Sequence, residues 1–302
     1  MDLSFLLPRL RAEWRKRTGR ELSAADIHPR FRNRERHFRS PPMTAEMVAA
    51  ISRLSPQFHL EPGESSRSFW ELTQNGSCWG EFDAAEPVLR TMPRPGKALD
   101  IGCGLGRSTA FFRRALGWEE TEFHLYDGDG PRIDYPRSGE RSDRSFCGDL
   151  TTLRQVLEHN EVPNFRIFDA HGLDHRLDAL PGPYDLVYSF YAAGFHWSLA
   201  DFWSEFETIA HGRTVGVFTL HRNFEEFPAL RNWAFRIVPF ERSLIKDRPH
   251  RLLIACRHGD HLSRLQQPAA RPLSPLRRPW SRTPTTPSKS PGLTKPILET
   301  LG

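Results

Sequence analysis

The 302 residues carry 42 Lys and Arg against 37 Asp and Glu, a formal charge of +5, with 38% apolar and 11% aromatic residues. That is enough apolar material for one large core, while no apolar run approaches the roughly 18 to 20 residues of a membrane-spanning helix and Phe5 to Leu7 is too short for a signal-peptide core. The four cysteines, Cys78, Cys103, Cys147 and Cys256, lie too far apart for a disulfide scaffold or a zinc site, so reduced thiols and a cytoplasmic location are expected.

The positive charge belongs to the ends. Residues 1–42 carry a net +6 and residues 262–302 another +6, which leaves about −7 for the chain between them. A central domain built to grip phosphate backbones would show the opposite balance, which weighs against nucleic acid as a partner. In the arm 1–42, Arg30, Arg32, Arg34, Arg36 and Arg39 are mixed with Phe31 and Phe38. Such a mixture can bind nucleic acid, but a single short cluster reads better as a solvated arm or surface helix.

Residues 43–96 read as a helical, aromatic cap. Met47, Val48, Ile51 and Leu54 share a helix face after Thr44, and Phe69-Trp70, Trp79-Gly80-Glu81-Phe82 and a helical Ala84 to Leu89 follow. These aromatics either close a site as a lid or pack on the edge of a sheet. The organising stretch is Lys97 to Leu116. Ala98, Leu99 and Ile101 form a short buried strand interrupted by Asp100, Gly102, Gly104 and Gly106 make a turn, and Ser108 to Leu116 is a helix with Gly117 after its end. Glycines let a ligand approach the backbone, and the N–H groups opening a helix favour polar or negative groups. A dinucleotide turn would place its third glycine where Arg107 stands, which weakens that reading.

Asp-x-Gly-x-Gly-x-Gly, from Asp100 to Gly106, instead resembles the first motif of the class I S-adenosylmethionine-dependent methyltransferases. The resemblance implies that this loop, with Asp100, Gly102, Cys103, Gly104, Gly106 and Arg107, wraps the methionine and ribose part of the cofactor, and that Asp100 lies near its amino group. It also implies a Rossmann-like α/β fold: a seven-stranded, mostly parallel sheet, helices on both faces, and a final antiparallel hairpin. Further along, Phe123 to Tyr126 reads as a second strand ending at Asp127-Gly128, and a carboxylate there can accept from both ribose hydroxyls. Asp129 is the rival in the same turn; Asp127 is preferred because it directly follows the strand. Residues 130–148 read as a long loop. Leu150 to His159 is a helix capped by Asp149, and Phe165 to Phe168 a third strand ending in Asp169-Ala170. In the methyltransferase pattern this acid accepts from the adenine amino group and the neighbouring backbone reads the ring nitrogen. His171 and His175 have metal-ligand spacing, but the intervening Gly and Leu give no firm helix to align them, so no metal is expected.

Tyr184 to Ser189 is the fourth strand, and Ser189 to Trp197 should line a substrate pocket because it follows the strand's C-terminal end. Ser189 falls on the cofactor side, Tyr191, Phe195 and Trp197 on the substrate side, and His196 is the candidate base, an imidazole among aromatics, with a wall histidine as the plain alternative. Ser198-Leu-Ala-Asp201 reads as a capping box for a helix running through Ile209 to stop at Gly212. Thr214 to Leu220, Phe235 to Phe240 and Arg251 to Cys256 complete seven strands. YDLVYSFYAAGFHWSLADFW resembles the corresponding region of sugar and small-molecule O-methyltransferases. The resemblance therefore implies a domain over 97–261, with S-adenosylmethionine as cofactor and a small-molecule hydroxyl as methyl acceptor. The tail 262–302, with eight prolines, cannot bury a core. Two rivals stand beside this reading: a nucleic-acid methyltransferase that uses the basic ends, and a catalytically silent binding module.

Overall fold

The computed structural model describes residues 15, 19, 38, 39, 41, 42, 44–54, 78–128, 148–190, 192–194, 197–220, 224–240 and 250–264. All of them fall within the unit Met1–Pro268. Two helices, α1 (Ala45–Leu54) and α2 (Cys78–Leu89), precede β1 (Lys97–Ile101), α3 (Arg107–Leu116) and β2 (Glu122–Asp127). Then come α4 (Leu150–His159), β3 (Phe165–Asp169), β4 (Tyr184–Ser189), α5 (Leu199–Thr208), β5 (Ala210–Leu220), β6 (Ala234–Phe240), β7 (His250–Cys256) and α6 (Gly259–Arg264).

The strands join in one sheet of order β3-β2-β1-β4-β5-β7-β6. The first five are parallel, and β7 is antiparallel to both β5 and β6. This is the Rossmann-like sheet with a closing antiparallel hairpin that the glycine motif implies. Successive residues of the central strands are apolar on both sides, as parallel strands covered on two faces require. Ala98, Leu125, Leu186, Val217 and Ile254 pack with Phe82, Phe111, Phe112 and Leu153 on one face. Leu99, Val187, Phe218 and Leu253 pack with Phe202, Trp203, Phe206 and Trp233 on the other. β6 is an edge strand, which is why Pro239 is tolerated inside it.

Two boundaries differ from the sequence reading. α5 ends at Thr208 with Ile209 as its cap, and β5 begins at Ala210, so the helix does not run on to Gly212. Pairing decides this: Ala210 joins Tyr184 in the β4 ladder, and Thr214 Oγ1 both accepts from His211 N at 2.7 Å and donates to Tyr184 O at 2.6 Å, so the exposed His-Gly-Arg segment is drawn into strand. The Ser198 cap is made to Ala200 N, 3.2 Å, one position short of the reciprocal box. α2, in turn, starts at Cys78 and not near Ala84.

Phe38 and Arg39 depart from a solvated arm. Phe38 is buried, with the Arg107 guanidinium 5.5 Å from its ring centre. Arg39 N donates to Asn160 Oδ1 at 2.7 Å, and Asn160 Nδ2 returns a bond to Arg39 O at 2.9 Å. Asn160 is the C-cap of α4, so this clamp ties a segment 121 residues away onto the helix end. The remainder of the arm, apart from residues 15, 19, 41 and 42, and the tail from residue 265 lie outside the described residues.

Candidate cofactor site

In an open parallel sheet the ligand crevice lies beyond the carboxyl ends of the strands. Here β1, β2, β3 and β4 end side by side, with Asp127 and Asp169 as register partners. The glycine turn leaves β1 through a bond from Gly102 N to Tyr126 O, 2.7 Å. Gly102 and Gly106 both hold left-handed backbone, φ +65 and +70. At Gly106, the N-cap of α3, a Cβ would come within 2.7 Å of Leu153 and 2.9 Å of Leu157. Glycine therefore lets α3 start hard against α4. No side chain caps α3, so its opening turn is left to backbone chemistry.

Asp127 is the acid that reaches this turn. Its Oδ2 accepts from Gly104 N at 2.6 Å and its Oδ1 from Gly128 N at 2.8 Å. Burial pushes its carboxyl up to about 6, against the opposing pull of those two backbone bonds, and the Asp169 carboxylate adds to the rise. Behind it, Gly148 packs so closely that a Cβ would lie 2.8 Å from Gly128 O. That close approach was not read from the sequence.

Asp100 is turned away from the crevice floor. It is buried and accepts from Ser108 Oγ and, at 2.9 Å, from Thr109 Oγ1, whose oxygen lies 2.8 Å from Tyr188 Oη. Burial raises its carboxyl to about 7; the hydroxyl bonds pull the other way. It thus joins β1, the first turn of α3 and β4 from beneath the glycines. A carboxyl raised in this way leaves stability undiminished below its ordinary value near 4 and takes stability away as pH rises toward 7. Urea unfolding of wild type and Asp100→Asn at pH 5, 6, 7 and 8 should show wild type losing stability relative to the variant by up to about 1.4 kcal/mol per pH unit below pH 7, and a constant difference above it. A difference that stays flat from pH 5 to 8 would mean that Asp100 titrates as an ordinary carboxyl.

The other expected site residues divide. Cys103 is buried, and burial, then Asp127 and Asp100, hold its thiol well above the usual range, so it is a neutral filler. Arg107 lies under Phe38. Asp169 Oδ1 accepts from His171 N at 2.9 Å, and Ala170 N donates to Asp127 O at 2.8 Å, so both N–H groups after β3 are engaged within the loop. His171 and His175 meet at 3.3 Å, Nδ1 to Nε2, in a turn where Asp174 and His175 have φ +49 and +58, not on a helix face. Ser189 is a latch: its hydroxyl donates to Ile101 O at 2.8 Å and accepts from Ala193 N at 2.9 Å, tying the end of β1 to the turn after β4.

That turn closes over the glycines. Trp197 N donates to Ala192 O at 3.2 Å and Gly194 N to Trp197 O at 2.8 Å. A Cβ on Gly102 would fall 2.0 Å from Ala192 Cβ and 3.7 Å from the Trp197 ring. Trp197 therefore borders the cofactor loop as well as the pocket side. Asp129, Tyr191, Phe195 and the candidate base His196 lie outside the described residues. Two buried polar side chains that the sequence reading passed over are Glu81, on the α2 stripe of Phe82, Ala85, Val88 and Leu89, and Thr219 near the end of β5. An acid within an otherwise apolar helical stripe is the one signal that would have marked Glu81.

No protein-family model matches the sequence, and no curated protein matches it either. Solved structures do. A spermidine synthase from Thermotoga maritima aligns at 15% identity and TM-score 0.42, over 62% of this chain and 62% of its own length. An S-adenosylmethionine-dependent methyltransferase from Aquifex aeolicus aligns at 11% and 0.42, over 62% and 97%. An O-methyltransferase family protein from Burkholderia thailandensis aligns at 12% and 0.40, over 68% and 63%. By its strand order, crossover helices and closing hairpin, the chain has a Rossmann-like methyltransferase fold.

Proposed function

We propose that this chain is an S-adenosylmethionine-dependent methyltransferase that methylates a small-molecule hydroxyl, a sugar or similar acceptor. The observation that carries the reading is the Asp127 bridge. The acid after the second strand grips the glycine turn through Gly104 N–H and still has acceptor capacity on both oxygens, since a carboxylate offers about four lone-pair sites and two are used. That remaining capacity fits a vicinal diol. Asp169, in register one strand further out, suits the far end of the same ligand. The donor chemistry at the strand ends therefore fits a nucleoside carrying a cationic methionine chain.

When bound, that cofactor supplies a methyl group whose departure from a sulfonium leaves a neutral thioether. The protein's own contribution is alignment and exclusion of water. The glycine turn and Asp127 hold the ribose, the Ser189 latch fixes the turn that bears Trp197, and Asp100 keeps the glycine loop in place from below. We assign His196 the role of base, taking the proton from the acceptor hydroxyl.

Calorimetric titration of the purified protein with S-adenosylmethionine and S-adenosylhomocysteine tests the cofactor assignment. Micromolar binding of both is expected. A folded protein that binds neither would overturn the enzyme reading and leave a fold kept as a binding module.

A further inference from the structure

Thr219 is completely buried, and its hydroxyl has no hydrogen-bond partner among the described residues. A lone buried hydroxyl loses its water without compensation, so it costs stability unless something else binds it. Its place in the sheet says what that is. Along β5 the side chains alternate: Val215 and Val217 face the side covered by α2 and α3, while Phe218 and Leu220 face the other. Thr219 therefore points to the α2 side.

Register places it in the site. Asp100 pairs with Tyr188, Ser189 with Phe218, and Thr219 with Leu252, which also pairs with Val238. One residue beyond these pairs, Gly102, Phe190, Thr219, Leu252 and Val238 form one row across the carboxyl end of the sheet. Thr219 is thus two strand spacings, about 10 Å, from the first glycine of the cofactor loop. Its neighbours on this face are apolar: Phe190 is 5.4 Å from Phe82, ring centre to ring centre, and Leu252 flanks the other side. The turn after β4 lies over this point as well, because a Cβ on Gly194 would come within 2.7 Å of Thr219 O.

We propose that Thr219 is a positioning residue for the methyl acceptor: its hydroxyl bonds a neutral polar group of an acceptor whose apolar flank lies against Phe190. This rests on the methyltransferase reading and narrows its acceptor class. A single hydroxyl between Phe190 and Leu252 satisfies a hydroxyl, ether or carbonyl oxygen but has no countercharge for a phosphate or an ammonium. Thr219 exchanges no proton in the reaction. As the acceptor oxygen bonds to the methyl carbon and the bond from that carbon to sulfur breaks, the acceptor's own proton leaves to the base, and Thr219 fixes where that oxygen sits. Access requires the Ala192–Trp197 turn to swing off the end of β5, with Gly194 as its nearest point.

The substitution Thr219→Val separates function from packing, because valine keeps the shape and removes only the hydroxyl. Thermal unfolding and S-adenosylhomocysteine calorimetry of the variant should match or exceed wild type, since no bond within the protein is lost. Methyl transfer from tritiated S-adenosylmethionine is then measured to catechol and methyl glucoside as neutral acceptors, and to glucose 6-phosphate and putrescine as charged ones. Wild type should methylate a neutral member. Thr219→Val should lower kcat/KM for that member about 10-fold or more, chiefly through KM, and Thr219→Ser should restore it. Unchanged kcat/KM in Thr219→Val, or a clear loss of thermal stability, would overturn the role of the hydroxyl. Preference for a charged member, or cofactor binding without transfer to either neutral one, would overturn the acceptor class and leave the methyltransferase reading standing. Failure of wild type to bind S-adenosylhomocysteine would instead remove the reading beneath it.

Discussion

Asp127→Ala should weaken S-adenosylhomocysteine binding at least about 100-fold while leaving the far-ultraviolet circular dichroism of the protein unchanged. The magnitude follows from what the carboxylate does. It anchors Gly104 N–H and Gly128 N–H, and bonds from a diol to a charged group contribute about 1.5 to 3 kcal/mol each, where 2.7 kcal/mol corresponds to 100-fold. The variant loses those ligand bonds and also the tether on the glycine turn. The same raised carboxyl sets a pH dependence. An accepting, ionised Asp127 predominates only above about pH 6, so affinity in the wild type should fall as the solution is acidified through that value. Calorimetry at pH 5 and 8 checks this. A dissociation constant for Asp127→Ala within threefold of wild type would move the ribose role to another acid, with Asp129 the next to test.

Gly102→Ala should destabilise the fold by on the order of 3 kcal/mol and abolish cofactor binding. Two effects add. The backbone at Gly102 is left-handed, which costs a residue with a Cβ about 1 to 2 kcal/mol. The new methyl would also sit 2.0 Å from Ala192 Cβ, an overlap that only movement of the turn after β4 relieves. Gly117→Ala isolates the first effect. Gly117 has φ +68 but nothing within 4 Å of its would-be Cβ, so only the backbone strain applies. Urea denaturation of the two variants should therefore separate them by the packing contribution. Equal losses would mean that Ala192 yields freely and that the turn is not seated on the glycine loop.

Much of this arrangement is visible in the sequence because it is local. The glycine turn, the acids that close β2 and β3, and the strand and helix periods are written in runs of five to ten residues, and the structure has each of those elements. What was hidden depends on partners far away in the chain. Nothing near Asn160 announces that its amide will hold Arg39, and nothing near Phe38 announces that it will cover Arg107. Ser189 looks like a pocket residue by position, but its hydroxyl is spent on Ile101 and Ala193. Asp100 reads as a cofactor contact by motif, yet its hydrogen bonds run to Ser108 and Thr109. The early start of β5 has the same origin: helix propensity runs out at Thr208, and pairing with Tyr184, not local preference, decides what His211 to Arg213 become.

The sheet order bears on how the chain is made. β5 leaves the ribosome before β7, yet along the edge away from β4 it pairs only with β7, and β6 pairs with nothing else. Until His250–Cys256 has been synthesised, the eleven-residue strand Ala210–Leu220 has an open edge and β6 has no partner. The nascent parallel half can assemble first, but it is exposed to pairing with other chains through that edge for as long as the last strand is missing. Nonsense or frameshift lesions upstream of Cys256 should therefore yield aggregates, whereas the closing strand, slotting between two that preceded it, seals the sheet in a single late step.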